Sequence, residues 1–228
     1  MNIQTNIAEI RKTIAEVCSG CGRNPEDVKL IAVSKTKPAS MINEAAAAGQ
    51  KLFGESYVQD FIDKVDDVST AAQWHFIGGL QSNKVKYLRG KVAMIHSVDR
   101  LSLAGEINKQ WQKLGQPIEI LLQVNLGGEV SKSGADADHL EQLVRQVAAL
   151  PMLRIKGLMT LPPYFDDPEK VRPYFRRLRE LAESIASLNI PEVEMRELSM
   201  GMSHDFAVAI EEGATLIRIG TAIFGARD

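Results

Sequence analysis

Strand and helix patterns alternate along nearly the whole chain. Short runs of branched apolar residues, typical of strands buried on both faces, are separated by segments whose apolar residues recur every three or four positions, as on one face of a helix. The predicted strands are the run that begins at residue 28 and ends before Lys35, and segments 51–54, 73–77, 92–98, 117–125, 153–160, 193–198 and 215–219. The predicted helices are segments 40–48, 55–68, 83–88, 100–114, 140–150, 171–185 and 203–212, preceded by a first helix over 3–17.

Eight strands in this alternation predict a single α/β domain over residues 1–228, a (β/α)8 TIM barrel with an extra N-terminal helix. No linker rich in proline, glycine or serine divides the chain, and its 228 residues suit a fold that typically needs about 250. A doubly wound open sheet is the competing fold. That fold usually has a glycine-rich first turn, whereas the first turn here reads Ser34-Lys35-Thr36-Lys37.

The composition argues against several classes of partner. The net charge is -2 and no basic block is present, so nucleic acid is not expected, and no apolar run approaches the ~18 residues that span a membrane. The first residues lack the basic and apolar regions of a signal peptide, which predicts a cytoplasmic protein. Cys18 and Cys21 have no second cysteine pair to form a zinc site with, so we interpret them as two inert thiols and expect no metal.

The first strand delivers an amine to its carboxyl end. Lys35 follows the apolar run and Ser34, so we expect it at the mouth of the barrel. An apolar wall disfavours the charged ammonium and favours the neutral amine, which attacks carbonyl groups. An ordinary solvated lysine at the end of a strand is the alternative.

Two loops place small and hydroxylated residues where barrels commonly hold a phosphate, after strands seven and eight. The first is Ser199-Met200-Gly201-Met202-Ser203, which opens a predicted helix whose N–H groups point outward, and the second is Gly220-Thr221. Taken singly, Ser203 could be an N-cap and Gly220 a turn residue. Together with the amine of Lys35, the two loops suit an aldehyde that carries a phosphate.

Two polar residues lie inside predicted strands. Arg218 needs a partner in a strand buried on both faces, and it could reach a ring nitrogen or a carboxylate. His75 in the third strand could line the same mouth, although a hydrogen-bonded core histidine is the commoner outcome.

Seven stretches of the chain resemble the pyridoxal phosphate homeostasis protein family, in the same order and at full-length spacing. They are IAVSKTKP (31–38), FGESYVQD (53–60), WHFIGGLQSNK (74–84), QVNLGGEVSKSG (123–134), KGLMTL (156–161), LSMGMSHD (198–205) and IRIGTAIFGARD (217–228). The family has the barrel fold of the alanine racemase N-terminal domain and binds pyridoxal 5′-phosphate. The resemblance implies that Lys35 is the Schiff-base lysine and that Arg218 faces the pyridine nitrogen. It implies a phosphate site made by Ser199, Gly201, Ser203, Gly220 and Thr221.

The chain departs from the family pattern at two positions. Ser56 stands where the family has asparagine, so a contact of that side chain near the cofactor ring is either made through water or lost. Gly79 stands where proline is frequent, which loosens that loop without removing a ligand. Ser56 and His75 complete the expected set of cofactor-binding residues.

Three functions compete for such a site. A class I aldolase is disfavoured because its substrate offers Arg218 no ring nitrogen. Racemases with this barrel take a second base from an extra β domain, which we do not expect because the predicted barrel occupies all 228 residues. The resemblance implies a binder without catalytic residues that holds pyridoxal phosphate as a Schiff base, maintains its intracellular level and delivers it to pyridoxal-phosphate-dependent apoenzymes. A racemase-like enzyme dependent on the same cofactor is the alternative, and the predicted helices, with one apolar face each, favour a monomer.

Overall fold

The strands of the computed structural model form a closed parallel barrel. The model describes residues 2–68, 71–127 and 133–226. Its strands are β1 Lys29–Val33, β2 Leu52–Glu55, β3 Gln73–Phe76, β4 Met94–Val98, β5 Ile118–Asn125, β6 Ala135–Asp136, β7 Leu153–Met159, β8 Val193–Ser199 and β9 Leu216–Ile219. Eight of them pair in chain order around the ring, and β9 pairs with β1 to close it. The short β6 pairs with β5 outside the ring.

Helices and short 3-10 segments connect the strands. The α-helices are α1 Ile3–Gly20, α2 Ala39–Ala47, α3 Val58–Ile62, α4 Leu101–Gln112, α5 Leu140–Ala148, α6 Arg172–Ser187, α7 Phe206–Glu211 and α8 Thr221–Phe224. The 3-10 segments are Pro25–Asp27, Val65–Asp67, Ser82–Tyr87, Ala137–His139 and Pro168–Val171. None of the described helices is long and apolar enough to traverse a bilayer.

The predicted barrel with its extra N-terminal helix is confirmed, and each predicted strand is present with its ends shifted by no more than two residues. The continuous helix predicted over 55–68 is wrong. Glu55 belongs to β2, and the chain leaves helical geometry at Lys64, which has φ -130° and a buried side chain. Residues 128–132 and 227–228, which belong to two of the motifs quoted above, lie outside the described residues.

Helix α1 is held on the outside of the barrel by one apolar stripe. Four of its isoleucines and Cys18 are buried, and the helix packs on α2, α7 and α8. The side-chain amide of Asn6 also donates to the backbone oxygen of Ile223 at 2.9 Å. Burial raises the pKa of the Cys18 thiol, which agrees with its interpretation as an inert group.

Alternation of side chains along each strand divides the core in two. Outward-facing strand residues pack against the helices and form the larger cluster. Inward-facing residues from six strands form a compact apolar layer at the centre of the barrel. That layer consists of Ile31, Leu52, Met94, Leu121, Met159 and Leu216.

Polar groups lie on either side of this central layer. Toward the amino ends of the strands, Lys29 pairs with Glu197 at 2.5 Å, and Thr215 donates to the other oxygen of Glu197 at 2.7 Å. Toward the carboxyl ends, the inward positions carry histidine, serine and arginine instead of aliphatic residues. The apolar layer therefore separates two polar regions, and the one at the carboxyl ends lies where barrels bind ligands.

Candidate functional site

The structure places Lys35 at the carboxyl end of β1, in a turn that follows the strand. Lys35 is half-buried and lines a small cavity of about 30 Å³ together with Lys37, Gly220 and Thr221. The amine-bearing loop and the loop after the last strand therefore meet at one mouth. They meet because β1 and β9 are hydrogen-bonded neighbours in the closed ring.

A buried chain of hydrogen bonds crosses the barrel just below this mouth. Arg218 donates from Nη1 to Oγ of Ser199 at 2.5 Å and from Nη2 to the backbone oxygen of Thr160 at 3.0 Å. The same Ser199 oxygen lies 2.9 Å from Nδ1 of His96, and Nε2 of His96 lies 2.9 Å from Nδ1 of His75. All five residues are buried. The partner that Arg218 needs inside a strand is thus a hydroxyl and a carbonyl.

Burial determines the charge of these groups. It lowers the pKa of His75 to about 4, and it lowers the pKa of His96 well below the usual range, with His75 and Arg218 adding to the effect. Both imidazoles are therefore neutral at pH near 7. Burial also lowers the pKa of Arg218 to about 10, with Asp205 opposing the shift, so the guanidinium remains a cation.

The partners of Ser199 determine which atoms donate and which accept along this chain of hydrogen bonds. Its oxygen already accepts from Arg218, and the one acceptor near its hydroxyl proton among the described residues is Nδ1 of His96. His96 then carries its proton on Nε2 and donates to Nδ1 of His75, which leaves the proton of His75 on Nε2. Nε2 of His75 is not among the side-chain atoms of the described residues that are sealed from solvent and lack a hydrogen-bond partner.

The loop after β8 is shaped by Gly201 and Asp205. Gly201 has φ +89°, and a Cβ on it would lie 2.6 Å from the Cβ of Ala209, so the loop packs tightly there. Asp205 accepts the backbone N–H of Met202 at 2.6 Å and closes a turn. The prediction that a helix begins at Ser203 is therefore wrong, since α7 begins at Phe206.

The loop after β9 leads directly into α8. A Cβ on Gly220 would lie 3.2 Å from the backbone oxygen of Val33, so glycine lets this loop lie close to β1. Helix α8 begins at Thr221, whose side chain is exposed, and the first N–H groups of a helix have no acceptor within it. Gly220 and Thr221 both line the small cavity beside Lys35.

The nine residues predicted from the sequence are brought to one end of the barrel in two sets. Ser199, Arg218 and His75 are tied into the buried chain, so the hydroxyl of Ser199 is used by protein groups. Five of the remaining six lie in loops or turns that follow strands, and Thr221 is the first residue of α8. The six are Lys35, Ser56, Gly201, Ser203, Gly220 and Thr221.

Ser56 follows β2 and is half-buried. The backbone of Gly78 lies directly against it, and a Cβ on Gly78 would collide with the backbone of Ser56. A Cβ on Gly79 would meet its nearest neighbour, Oγ of Ser133, at 3.9 Å, which is ordinary contact. The position where the family often has proline therefore has room for a side chain.

His96 was missed in the sequence although its position carried a signal. It lies two residues after Met94 in β4, so strand alternation puts both side chains on the inside of the barrel. Lys64 and Glu55 were missed as well. They lie in a segment predicted as helix, where a lysine and a glutamate indicate a solvated face.

A larger cavity of about 580 Å³ lies at the opposite end of the strands, between α1 and the starts of β1 and β2. Two of its polar side chains, Arg11 and Gln50, are engaged within the protein. Arg11 donates to the backbone oxygen of Gly49 at 2.9 Å, and Gln50 donates to those of Leu30 and Leu52, each at 2.7 Å. No group of three or more possible metal-ligating side chains occurs in the described residues.

Comparison with known proteins gives a consistent picture. The family model described as alanine racemase, N-terminal domain, matches residues 2–228. Two relatives named pyridoxal phosphate homeostasis protein come from Aquifex aeolicus, with 46% identity over all of this chain and 99% of that protein, and from Escherichia coli, with 44% identity over all of this chain and 97% of that protein.

Two solved structures show how far the similarity extends. The PipY protein of Synechococcus elongatus, solved with PLP bound, has a TM-score of 0.81 at 38% identity, covering 93% of this chain and 100% of that one. Alanine racemase from Corynebacterium glutamicum has a TM-score of 0.72 at 15% identity, covering 98% of this chain and 62% of that one, a likeness of fold alone.

Proposed function

The chain belongs to the pyridoxal phosphate homeostasis protein family, whose barrel is that of the alanine racemase N-terminal domain, and from this we propose that it binds pyridoxal 5′-phosphate through Lys35. The observation that carries the proposal is the cavity shared by Lys35, Gly220 and Thr221. An amine and the first backbone N–H groups of α8, which have no acceptor within that helix, match the aldehyde and the phosphate of this cofactor. The PLP-bound structure of the related PipY protein supports the same choice.

The residues at the mouth fit each part of the cofactor. A Cβ would collide with Ala209 at Gly201 and would be tight against Val33 at Gly220, so both loops pack closely. The hydroxyls of Ser203 and Thr221 add donors for a phosphate. Lys35 would hold the cofactor through a bond between its nitrogen and the aldehyde carbon, formed with loss of the aldehyde oxygen as water. This Schiff base needs no co-reactant and is reversible.

Arg218 favours a carrier over an enzyme. Pyridoxal phosphate supplies a ring that withdraws electrons most strongly when its nitrogen is protonated. Because Arg218 is a cation at neutral pH, it disfavours a proton on a nitrogen beside it. A ring held in this way is a weak electron sink, which favours a protein that holds the cofactor without turning over amino acids.

The exposure of the mouth favours release. Thr221 is exposed and Lys35 is half-buried, so a ligand between them reaches solvent without any opening of the barrel. We therefore include delivery of the cofactor to pyridoxal-phosphate-dependent apoenzymes in the proposal.

Absorbance spectroscopy of the purified protein with and without borohydride tests the covalent link. We expect a yellow protein whose band disappears on reduction, and a peptide mass that places the adduct on Lys35. Lys35→Ala is expected to lose the adduct and keep weak binding through the phosphate. Lys37→Ala is the matched control because Lys37 lies in the same loop and donates to the backbone oxygen of Ala226 at 2.8 Å. An adduct on Lys37 or Lys84 in the wild type would refute the assignment.

Exchange of the α-proton of alanine or serine in deuterated water tests the absence of turnover. The carrier predicts slow or absent exchange while the adduct is intact. Exchange at about 1 per second, a rate typical of enzymes, would instead establish a catalyst.

A further inference from the structure

The loop that carries Lys35 is held in an uncommon conformation. Thr36, the next residue, has φ +64°, in the left-handed region that β-branched residues rarely adopt. Such a residue persists only where its surroundings impose the conformation. Here the backbone N–H of Thr36 donates to Oδ2 of Asp60 at 2.8 Å, and the N–H of Lys37 donates to the backbone oxygen of Ser34 at 3.0 Å.

The ammonium group of Lys64 binds the same loop through two backbone oxygens. Its Nζ lies 2.8 Å from the backbone oxygen of Ser34 and 3.2 Å from that of Lys37, so it bonds the loop on both sides of Lys35. It also lies 3.1 Å from Oδ2 of Asp60, the atom that accepts the N–H of Thr36. One buried cation therefore links both ends of the turn to the carboxylate that holds its middle.

Glu55 anchors Lys64 in the interior. Its Oε1 lies 2.7 Å from Nζ of Lys64 and accepts the hydroxyl of Ser34 at 2.6 Å. Its Oε2 is sealed from solvent and has no hydrogen-bond partner in the described residues. Burial raises the pKa of this carboxyl, while its bonds to Lys64 and Ser34 oppose the shift.

A buried ion pair of this kind contributes little to stability, because the desolvation of two charges offsets their attraction. An unpartnered carboxylate oxygen makes the balance worse. The structural consequence of the arrangement is the fixed path of residues 34–37. We propose that Lys64, with Glu55 and Asp60, positions the Lys35 loop for covalent attachment of the cofactor, an inference that rests on the function proposed above.

Lys64 thus acts through the loop as a positioning residue. Effective attack on a carbonyl requires the amine within a narrow range of distance and angle, so a relaxed loop slows bond formation. The proposal assigns binding of the phosphate and ring to Gly201, Gly220 and Arg218. In the described residues, the clamp formed by Lys64, Glu55 and Asp60 makes no hydrogen bond or ion pair with these three. The two properties therefore separate in the right variants.

Three variants weaken the clamp in different ways. Lys64→Met removes the cation, and the double variant Glu55→Gln/Lys64→Met removes both buried charges, which keeps the test usable if an unpaired Glu55 unfolds the single variant. Asp60→Ala removes the acceptor for Thr36 at a partly exposed position. The matched control is Lys91→Met, the same change at a lysine that pairs with Asp66 at 3.0 Å outside the loop.

Three measurements are made on each variant. The first is hydrogen–deuterium exchange of the loop without cofactor, and the second is the dissociation constant of pyridoxine 5′-phosphate, which lacks the aldehyde. The third is the rate of the absorbance change on adding pyridoxal phosphate. We expect the clamp variants to lose protection at residues 36–37, to bind the alcohol analogue within about threefold of wild type, and to form the adduct at least about tenfold more slowly. The control should match wild type throughout.

Two outcomes would overturn the proposal. One is wild-type loop exchange and adduct rate in the clamp variants. The other is a loss of analogue binding by the same factor as the adduct rate, which would show a merely structural role. If wild type itself forms no adduct on Lys35, the proposed function fails, while the exchange measurement still reports whether the clamp holds the loop.

Discussion

Acidification is expected to destabilise the protein through the two buried histidines. In the unfolded chain a histidine takes up a proton below about pH 6.5. In the folded protein His75 has a pKa of about 4, and that of His96 is also well below the usual range. Between about pH 4 and about pH 6.5 the unfolded state therefore binds more protons than the folded state, and the free energy of unfolding falls as the pH falls. Above about pH 7 the contribution of the two histidines to the free energy of unfolding is constant.

The size of the effect follows from the same values. One pH unit below the unfolded pKa costs about 1.4 kcal/mol for each group that stays neutral in the folded state. Lowering the pH from about 7 to about 5.5 should therefore remove about 1.3 kcal/mol for each histidine and about 2.5 kcal/mol for the pair. Glu55 and Asp205, whose pKa values are raised by burial, act in the opposite sense in this range.

Urea unfolding at the two pH values measures this term, followed by the fluorescence of Trp74 and Trp111, which are both buried. His75→Asn supplies the comparison, since its carbonyl oxygen can accept the proton that His96 donates. The loss on acidification should be about 1.3 kcal/mol smaller in this variant, because the opposing carboxyls are common to both proteins. Equal losses in the two proteins would show that His75 is not kept neutral in the fold.

Two further changes test the local geometry. Thr36→Asn should raise the free energy of unfolding by about 1 kcal/mol in urea, because asparagine tolerates φ +64° better than threonine; a loss of stability would show that the observed φ is not imposed on the loop. Gly157→Ala should lower the free energy of unfolding by about 3 kcal/mol, because the added methyl collides with the backbone of Glu197 across the β7–β8 pair. Gly105→Ala, on an open helix face, is the control, and equal effects of the two changes would contradict this packing.

The strands could be predicted because each one carries its own signal. A barrel strand buried on both faces reads as a short apolar run, and turn residues bound it. Lys35 could be placed at the mouth for the same reason, since it follows such a run directly. The alternation of strands and helices then determined which end of each strand faces the mouth.

The rest depended on contacts that distant residues make. Nothing within the segment that contains Lys64 indicates that its side chain turns inward to Ser34, thirty positions earlier in the chain. The start of α7 was misplaced because the turn closed by Asp205 competes with a helix beginning at Ser203. Ser199 was assigned to a phosphate loop, yet its hydroxyl is claimed by Arg218 and His96, which only the closed barrel brings beside it.

The pairing of β1 with β9 gives the protein a distinctive order of assembly during synthesis. Lys35 leaves the ribosome before β9, the neighbouring strand that carries Arg218 and leads to Gly220, has been made. Contacts between segments so far apart in sequence are also slow to form, because the whole intervening chain must close first. A nascent chain lacking β9 therefore carries an amine without its anion-binding loop, and we expect capture of the cofactor to begin only when the ring has closed.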